Sequence, residues 1–161
     1  MGDAMLMTLD ALVQAVQGTV LYSGRKAQAG FSSVAIDSRK VTEAGLFVAL
    51  PGSSQDGHQY IDNAFNSGAS IVLMQEDRLE AYRNRALSAA QLHDGALIVV
   101  PKTLLALQQA ARAYIDEFPG LLKIGITGSS GKTTVKELTA AIMGQEKRVI
   151  IGWMSNWDYA Q

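Results

Sequence analysis

The stretch GLFVALPGSSQDGHQYIDNAFNSGASIVLM, Gly45 to Met74, holds the decision about fold. Leu46 to Leu50 (LFVAL) is short and apolar without interruption, and Pro51-Gly52 stops it. A strand covered on both faces has that pattern, because neither set of alternating side chains meets water. The polar loop PGSSQDG leads into HQYIDNAFNSG, where Ile61, Ala64 and Phe65 mark one helical face and Gly68 ends it. Ser70 to Met74 (SIVLM) then repeats the buried-strand pattern. Strand, helix and strand in this order predict an α/β fold on a largely parallel sheet covered by helices.

The same alternation continues on both sides. Toward the N-terminus, Thr8 is placed to cap a helix carrying Leu9, Leu12, Val13 and Val16, stopped by Gly18. Met5, Met7 and the nearby leucines read as core, and brief strands are expected over Thr19 to Tyr22 and Ser33 to Ile36. Toward the C-terminus, Glu76 to Leu92 is alanine-rich and expected to be largely helical, and ALIVV (Ala96 to Val100) is another buried strand. Leu104, Leu107, Ala111 and Ile115 recur at helical spacing before Pro119-Gly120. This helix is expected to connect a first domain, residues 1–100, to a second, residues 120–161, with 101–119 as the connector. In the second, KIGIT (123–127) reads as a strand, Lys132 to Met143 as a helix with Val135, Leu138 and Ile142 facing a core, and KRVII (147–151) as a further strand.

Composition excludes several classes of function. The 161 residues are 48% hydrophobic and 18% charged with three prolines, which is the balance of a globular chain. A net charge of −1 gives no sign of broad electrostatic binding to nucleic acid or anionic lipid. With no cysteine there is neither a disulfide framework nor a thiolate metal site. Asp3 and Asp10 break the apolar start, so it is no secretory signal, and no stretch reaches the roughly 20 apolar residues of a membrane span. A soluble, cytoplasmic protein is expected.

ITGSSGKTT, Ile126 to Thr134, carries the chemistry. The ordinary phosphate loop is G-x-x-x-x-G-K-[ST], and Ile126 stands where its first glycine belongs. A strand, a tight glycine turn and a helix would still present unpaired N–H groups and a partial positive charge to an anion. Gly128 and Gly131 let the backbone curl around phosphate, with Ser129 and Ser130 as small donors. Lys132 would reach the β- and γ-phosphates, Thr133 would hold Mg²⁺ through its hydroxyl, and Thr134 completes the run. The bland alternative is a glycine turn with Lys132 solvated; the flanking elements and the Gly-Lys-Thr-Thr run favour a nucleoside triphosphate.

The shortened loop resembles that of the Mur ligases and the related folylpolyglutamate synthases, ATP-dependent amide-forming enzymes. Four further motifs, Asp37-Ser38-Arg39, Gly45 to Leu50, Asp56-Gly57-His58 and Gly68-Ala69, resemble the N-terminal UDP-binding domain of Mur ligases in their order. The folylpolyglutamate synthases lack that domain. The likeness runs over about residues 30 to 150. It implies a Mur ligase N-terminal UDP-binding domain followed by the start of a P-loop ATPase domain, with ATP and Mg²⁺ as cofactors and a UDP-N-acetylmuramoyl peptide as partner.

Carried over by motif, Ser38 and the turn Gly52, Ser53, Ser54 and Gln55 would contact the uracil and ribose. Arg39 would pair with a phosphate or brace its turn. Asp56 reads as a helix cap, His58 as structural or hydrogen-bonding, and His93 as surface; no catalytic residue is assigned. Ser129-Ser130 and the continuation VKELTAAIM look more like the branch adding D-alanyl-D-alanine to a UDP-muramoyl tripeptide than the third-residue-adding branch. The family's downstream metal ligands, modified lysine and C-terminal domain have no counterpart here, so the isolated chain is expected to be inactive. A natural binding module without ligation, or a scaffold whose loop takes a simple anion, remain as alternatives. An incomplete second domain is also expected to pack back on the first, to self-associate or to be disordered, with Trp153 and Trp157 covering apolar surface.

Overall fold

In the computed structural model, residues 5–52 and 55–152 are described, and the chain divides into two compact units, Met1–Pro119 and Gly120–Gln161. The first unit is a five-stranded sheet between two layers of helices. Its helices are α1 (Leu9–Val16), α2 (Ile61–Asn66), α3 (Leu79–Leu92) and α4 (Thr103–Asp116). Its strands are β1 (Thr19–Ser23), β2 (Ser33–Ala35), β3 (Gly45–Val48), β4 (Ala69–Gln75) and β5 (Ala96–Val100), in the spatial order β1-β5-β4-β3-β2. Strands β2 to β5 pair in parallel and β1 runs antiparallel along β5. All four parallel strands therefore end on one edge.

The uninterrupted apolar runs have the physical cause expected of them. Every residue of β3, β4 and β5 is buried. Leu46, Val48, Ile71, Leu73, Ile98 and Val100 face one core with α1 and α4. Phe47, Val72, Met74 and Leu97 alternate into the other, with α2 and α3. Period two thus serves two cores at once. Thr8 caps α1 by accepting from the Ala11 N–H at 3.3 Å.

Several expectations are corrected. The helix read as a connector is part of the first unit, where α4 packs on α1. Its buried face is Thr103, Ala106 and Ala110, with Leu107 partly buried against the same core; small side chains there let two helix backbones approach. Met7 is buried, whereas Met5 is exposed. His93 is half-buried and stacks on Phe65, with centroids 6.2 Å apart.

In the second unit the described residues form one helix, α5 (Lys132–Met143), and no strand. The runs 123–127 and 147–151 have no ladder partners and no regular secondary structure, and Val135, Leu138 and Ile142 are exposed rather than facing a core. A strand exists only through its neighbours, and a helix buries its apolar face only where another packed surface receives it. Trp153 and Trp157 lie outside the described residues.

Candidate functional site

Each unit carries one candidate site. In the first, the motifs expected to meet a nucleotide gather at the carboxyl edge of the parallel strands, where ligands settle in open α/β sheets. Ser38 follows β2 and is buried at the start of a short 3₁₀ turn, Ser38–Lys40. Asp37 caps that turn, accepting the Arg39 N–H at 3.1 Å. The Arg39 guanidinium folds onto the same carboxylate in a bidentate pair, 2.9 Å from Oδ1 and 2.7 Å from Oδ2. These hydrogen bonds hold the Asp37 carboxyl down at about 2 and raise Arg39.

The turn after β3 lies on the neighbouring strand end. Gly52 packs so closely under the Gln55 carbonyl that a Cβ there would sit 2.3 Å from that oxygen. Gln55 is exposed, its Oε1 accepting from the Tyr60 hydroxyl at 3.4 Å. Ser53 and Ser54 lie outside the described residues. The Gly57 N–H donates to the Leu50 carbonyl at 2.9 Å and closes the base of the turn. Asp56 caps the 3₁₀ turn Gly57–Tyr60, accepting the His58 N–H at 3.0 Å.

Below this turn runs a polar chain, buried at His58, Gln75 and Thr103, whose long-range pairings the sequence did not disclose. His58 Nδ1 lies 2.5 Å from Asp56 Oδ1, and Arg78 Nε lies 3.0 Å from Asp56 Oδ2. The Gln75 N–H donates to His58 Nε2 at 2.9 Å. Gln75 Oε1 accepts from the Thr103 N–H at 3.2 Å and from its hydroxyl at 3.4 Å. Burial pushes the His58 pKa down, against the upward pull of Asp56. Burial works against ionised Asp56 as well, but hydrogen bonds from the His58 amide and ring outweigh it and leave that carboxyl below its ordinary value. One sequence signal pointed to Gln75: a polar residue directly continuing the run SIVLM. Thr103 and Arg78 carried none.

In the second unit, Gly131 takes the left-handed conformation (φ 75°) and ends the loop as the N-cap of α5. A Cβ at Gly131 would meet nothing within 4 Å, so the backbone angle alone calls for glycine there. The first helical hydrogen bond runs from the Val135 N–H to the Gly131 carbonyl at 3.0 Å. The N–H groups of Lys132, Thr133 and Thr134 therefore have no acceptor within the helix, and no side chain caps it. Ser129, Ser130, Lys132, Thr133 and Thr134 are exposed, and Lys132 Nζ folds back onto the Gly128 carbonyl. The unpaired amides, the helix dipole and the exposed Lys132 ammonium fit an oligophosphate. For a divalent cation the Thr133 hydroxyl is the donor at hand, since no group of three or more His, Asp or Glu among the described residues could hold a metal.

The pattern described as "Mur ligase family, catalytic domain" matches residues 30–115. The chain belongs to the Mur ligase family. Its likeness to family members extends well past those residues. The UDP-N-acetylmuramoyl-tripeptide–D-alanyl-D-alanine ligase of Treponema pallidum is 40% identical over 146 residues, covering 91% of this chain and 31% of that protein. A MurF crystal structure from Acinetobacter baumannii superposes with a TM-score of 0.66 at 29% identity, over 86% of this chain and 28% of the other. The MurF ligase of Thermotoga maritima, solved in complex with ADP, superposes at 0.53 with 27% identity, over 71% and 23%. The chain thus spans under a third of the length of these Mur ligases. No helix among the described residues is long and apolar enough to cross a membrane.

Proposed function

We propose that this chain carries the UDP-substrate and ATP-phosphate sites of a cytoplasmic Mur ligase that adds D-alanyl-D-alanine to a UDP-muramoyl tripeptide. The observation that carries this reading is the 40% identity to a ligase of that name over 91% of the chain. A match of that extent necessarily takes in both the turn at Gly52–Gln55 and the loop at 126–134. Ser38, Arg39, Gly52 and Gln55 would meet the uridine portion, and Ser53 and Ser54 join them from the sequence pattern alone. Small polar groups and free backbone amides at strand ends read a base by hydrogen bonding.

In the second unit Gly128, Ser129, Ser130 and Gly131 would wrap the phosphates of ATP. Lys132 would leave the Gly128 carbonyl to neutralise charge on the β- and γ-oxygens. The amides of Thr133 and Thr134 would bind phosphate oxygens, with the Thr133 hydroxyl on Mg²⁺. Bound there, ATP would supply the phosphoryl group that activates a substrate carboxylate for amide formation, and Lys132, Thr133 and Thr134 would hold and orient it. The residues named here would bind and orient, and no acid or base is assigned among them.

Calorimetric titration of the chain with Mg·ATP, beside Lys132→Ala, tests the loop. Binding by the wild type that weakens by about tenfold or more in the variant is expected, because a charge-assisted contact is lost. Equal binding by both proteins, or none by the wild type, would remove the nucleotide from this reading.

A further inference from the structure

Three polar side chains are sealed inside the first unit beneath the carboxyl edge: His58 at 2% exposure, Gln75 at 4% and Thr103 at 0%. Their arrangement answers a question about the sheet. Between β3 and β4 the Ala49 N–H donates to the Leu73 carbonyl at 3.0 Å. In a parallel ladder the next N–H on β4, that of Gln75, would return to the Ala49 carbonyl. It goes instead to His58 Nε2 at 2.9 Å. The imidazole stands in for a strand carbonyl at the point where the chain leaves β3 for the Gly52–Gln55 turn.

This substitution also defines the proton on the ring. Nε2 accepts from an amide, so the proton resides on Nδ1, which donates to Asp56 Oδ1 at 2.5 Å. Asp56 is thereby gripped from within the fold by His58 and from the turn after β4 by Arg78. The base of the turn is closed by the Gly57 N–H, and a Cβ on Gly57 would lie 2.8 Å from the Leu50 carbonyl oxygen. Gln75 passes the linkage on to Thr103 at the start of α4, and its Nε2 donates to Asp77 at 3.0 Å. A leucine or phenylalanine could fill the same space. Neither could accept from Gln75 while donating to Asp56.

We propose that His58 is a positioning residue for the UDP site: by joining Asp56 to the Gln75 backbone it holds Gly52 and Gln55 in the geometry that receives a uridine nucleotide. The inference rests on the reading of that turn as the UDP site. It follows that a second proton on His58 disables the site, because Nε2–H would then face the Gln75 N–H. The groups that face the ring are Asp56, the Arg78 and Asp77 side chains of the turn after β4, and the Tyr82 ring of α3 at 5.9 Å. Asp56 and Asp77 favour the second proton, while burial and Arg78 oppose it.

The experiment is titration of the 161-residue chain with UDP across a pH series, for the wild type, His58→Gln and His58→Phe. Amide spectra of Gly52, Gln55 and Gly57 are recorded alongside. Glutamine keeps an acceptor but has no imidazole, so it reports the nucleotide's own titration. Wild-type affinity is expected to fall about tenfold more than that of His58→Gln as the pH drops below the ordinary histidine range, with the three amides shifting in step. His58→Phe is expected to bind UDP about tenfold more weakly where it folds, with glutamine restoring part of the loss. If His58→Phe folds and binds like the wild type, or the wild type and His58→Gln share one pH profile, the positioning role is overturned and the UDP site stands. If the wild type fails to bind UDP at neutral pH and the amides do not move, the site reading falls, and this inference with it.

Discussion

Asp37 and His58 each make a close contact two residues away, with Arg39 and Asp56 respectively, yet their environments pull them in different ways. Asp37 is held at about 2 by the Arg39 side chain and amide. A carboxylate-resolved NMR titration should give that midpoint, and Arg39→Ala should return it toward 3.8; a midpoint already near 3.8 in the wild type would dissolve the pair. His58 is lowered by burial from 6.5, so it is neutral in the fold where the unfolded chain has begun to protonate. Its contribution to stability is complete above the unfolded value and declines as pH falls from there to the lowered folded value. Thermal melts should show stability rising with pH across that window for the wild type, with this component absent from His58→Gln. The cap at Asp56 was legible because Asp-Gly-His precedes an amphipathic run. The acceptor role of His58 was not, because its partner is a backbone N–H 17 residues away.

Among the elements, β3, β4 and β5 were legible because strands buried on both faces leave no polar alternation to confuse the reading. Helix α4 was legible as a helix, but its spacing did not say which face is buried. Leu104, Leu107, Ala111 and Ile115 make the more apolar stripe, but Ala106 and Ala110 are the residues that sit in the core opposite α1. Chemical denaturation can separate the two assignments. Ala106→Leu should cost about 1–3 kcal/mol by overpacking. Leu104→Ala on the exposed face should stay within about 0.5 kcal/mol. The reverse ranking would make the Leu104 face the buried one.

At the scale of the whole molecule, the first unit owns two cores and the second, in its described residues, a single helix with exposed Leu138 and Ile142. A Met1–Pro119 chain should therefore unfold in one cooperative transition, with β4 and β5 amides among the slowest to exchange. In the 161-residue chain, 123–127 and 147–151 should exchange without the protection of a strand; slow exchange there would mean that a ladder forms.

What the sequence by itself determined is local: where buried strands and helices run, and where the Gly-Lys-Thr-Thr run can begin a helix with unpaired amides. Periodicity, caps and glycine conformation act over a few residues, so they can be read without the fold. What only the tertiary structure decided is pairing across distance. It put Ala106 rather than Leu104 against α1, left 123–127 without a partner strand, and gave the Gln75 N–H to His58 in place of a β3 carbonyl. Each of those outcomes depends on which surfaces reach one another, and a one-dimensional pattern does not record that.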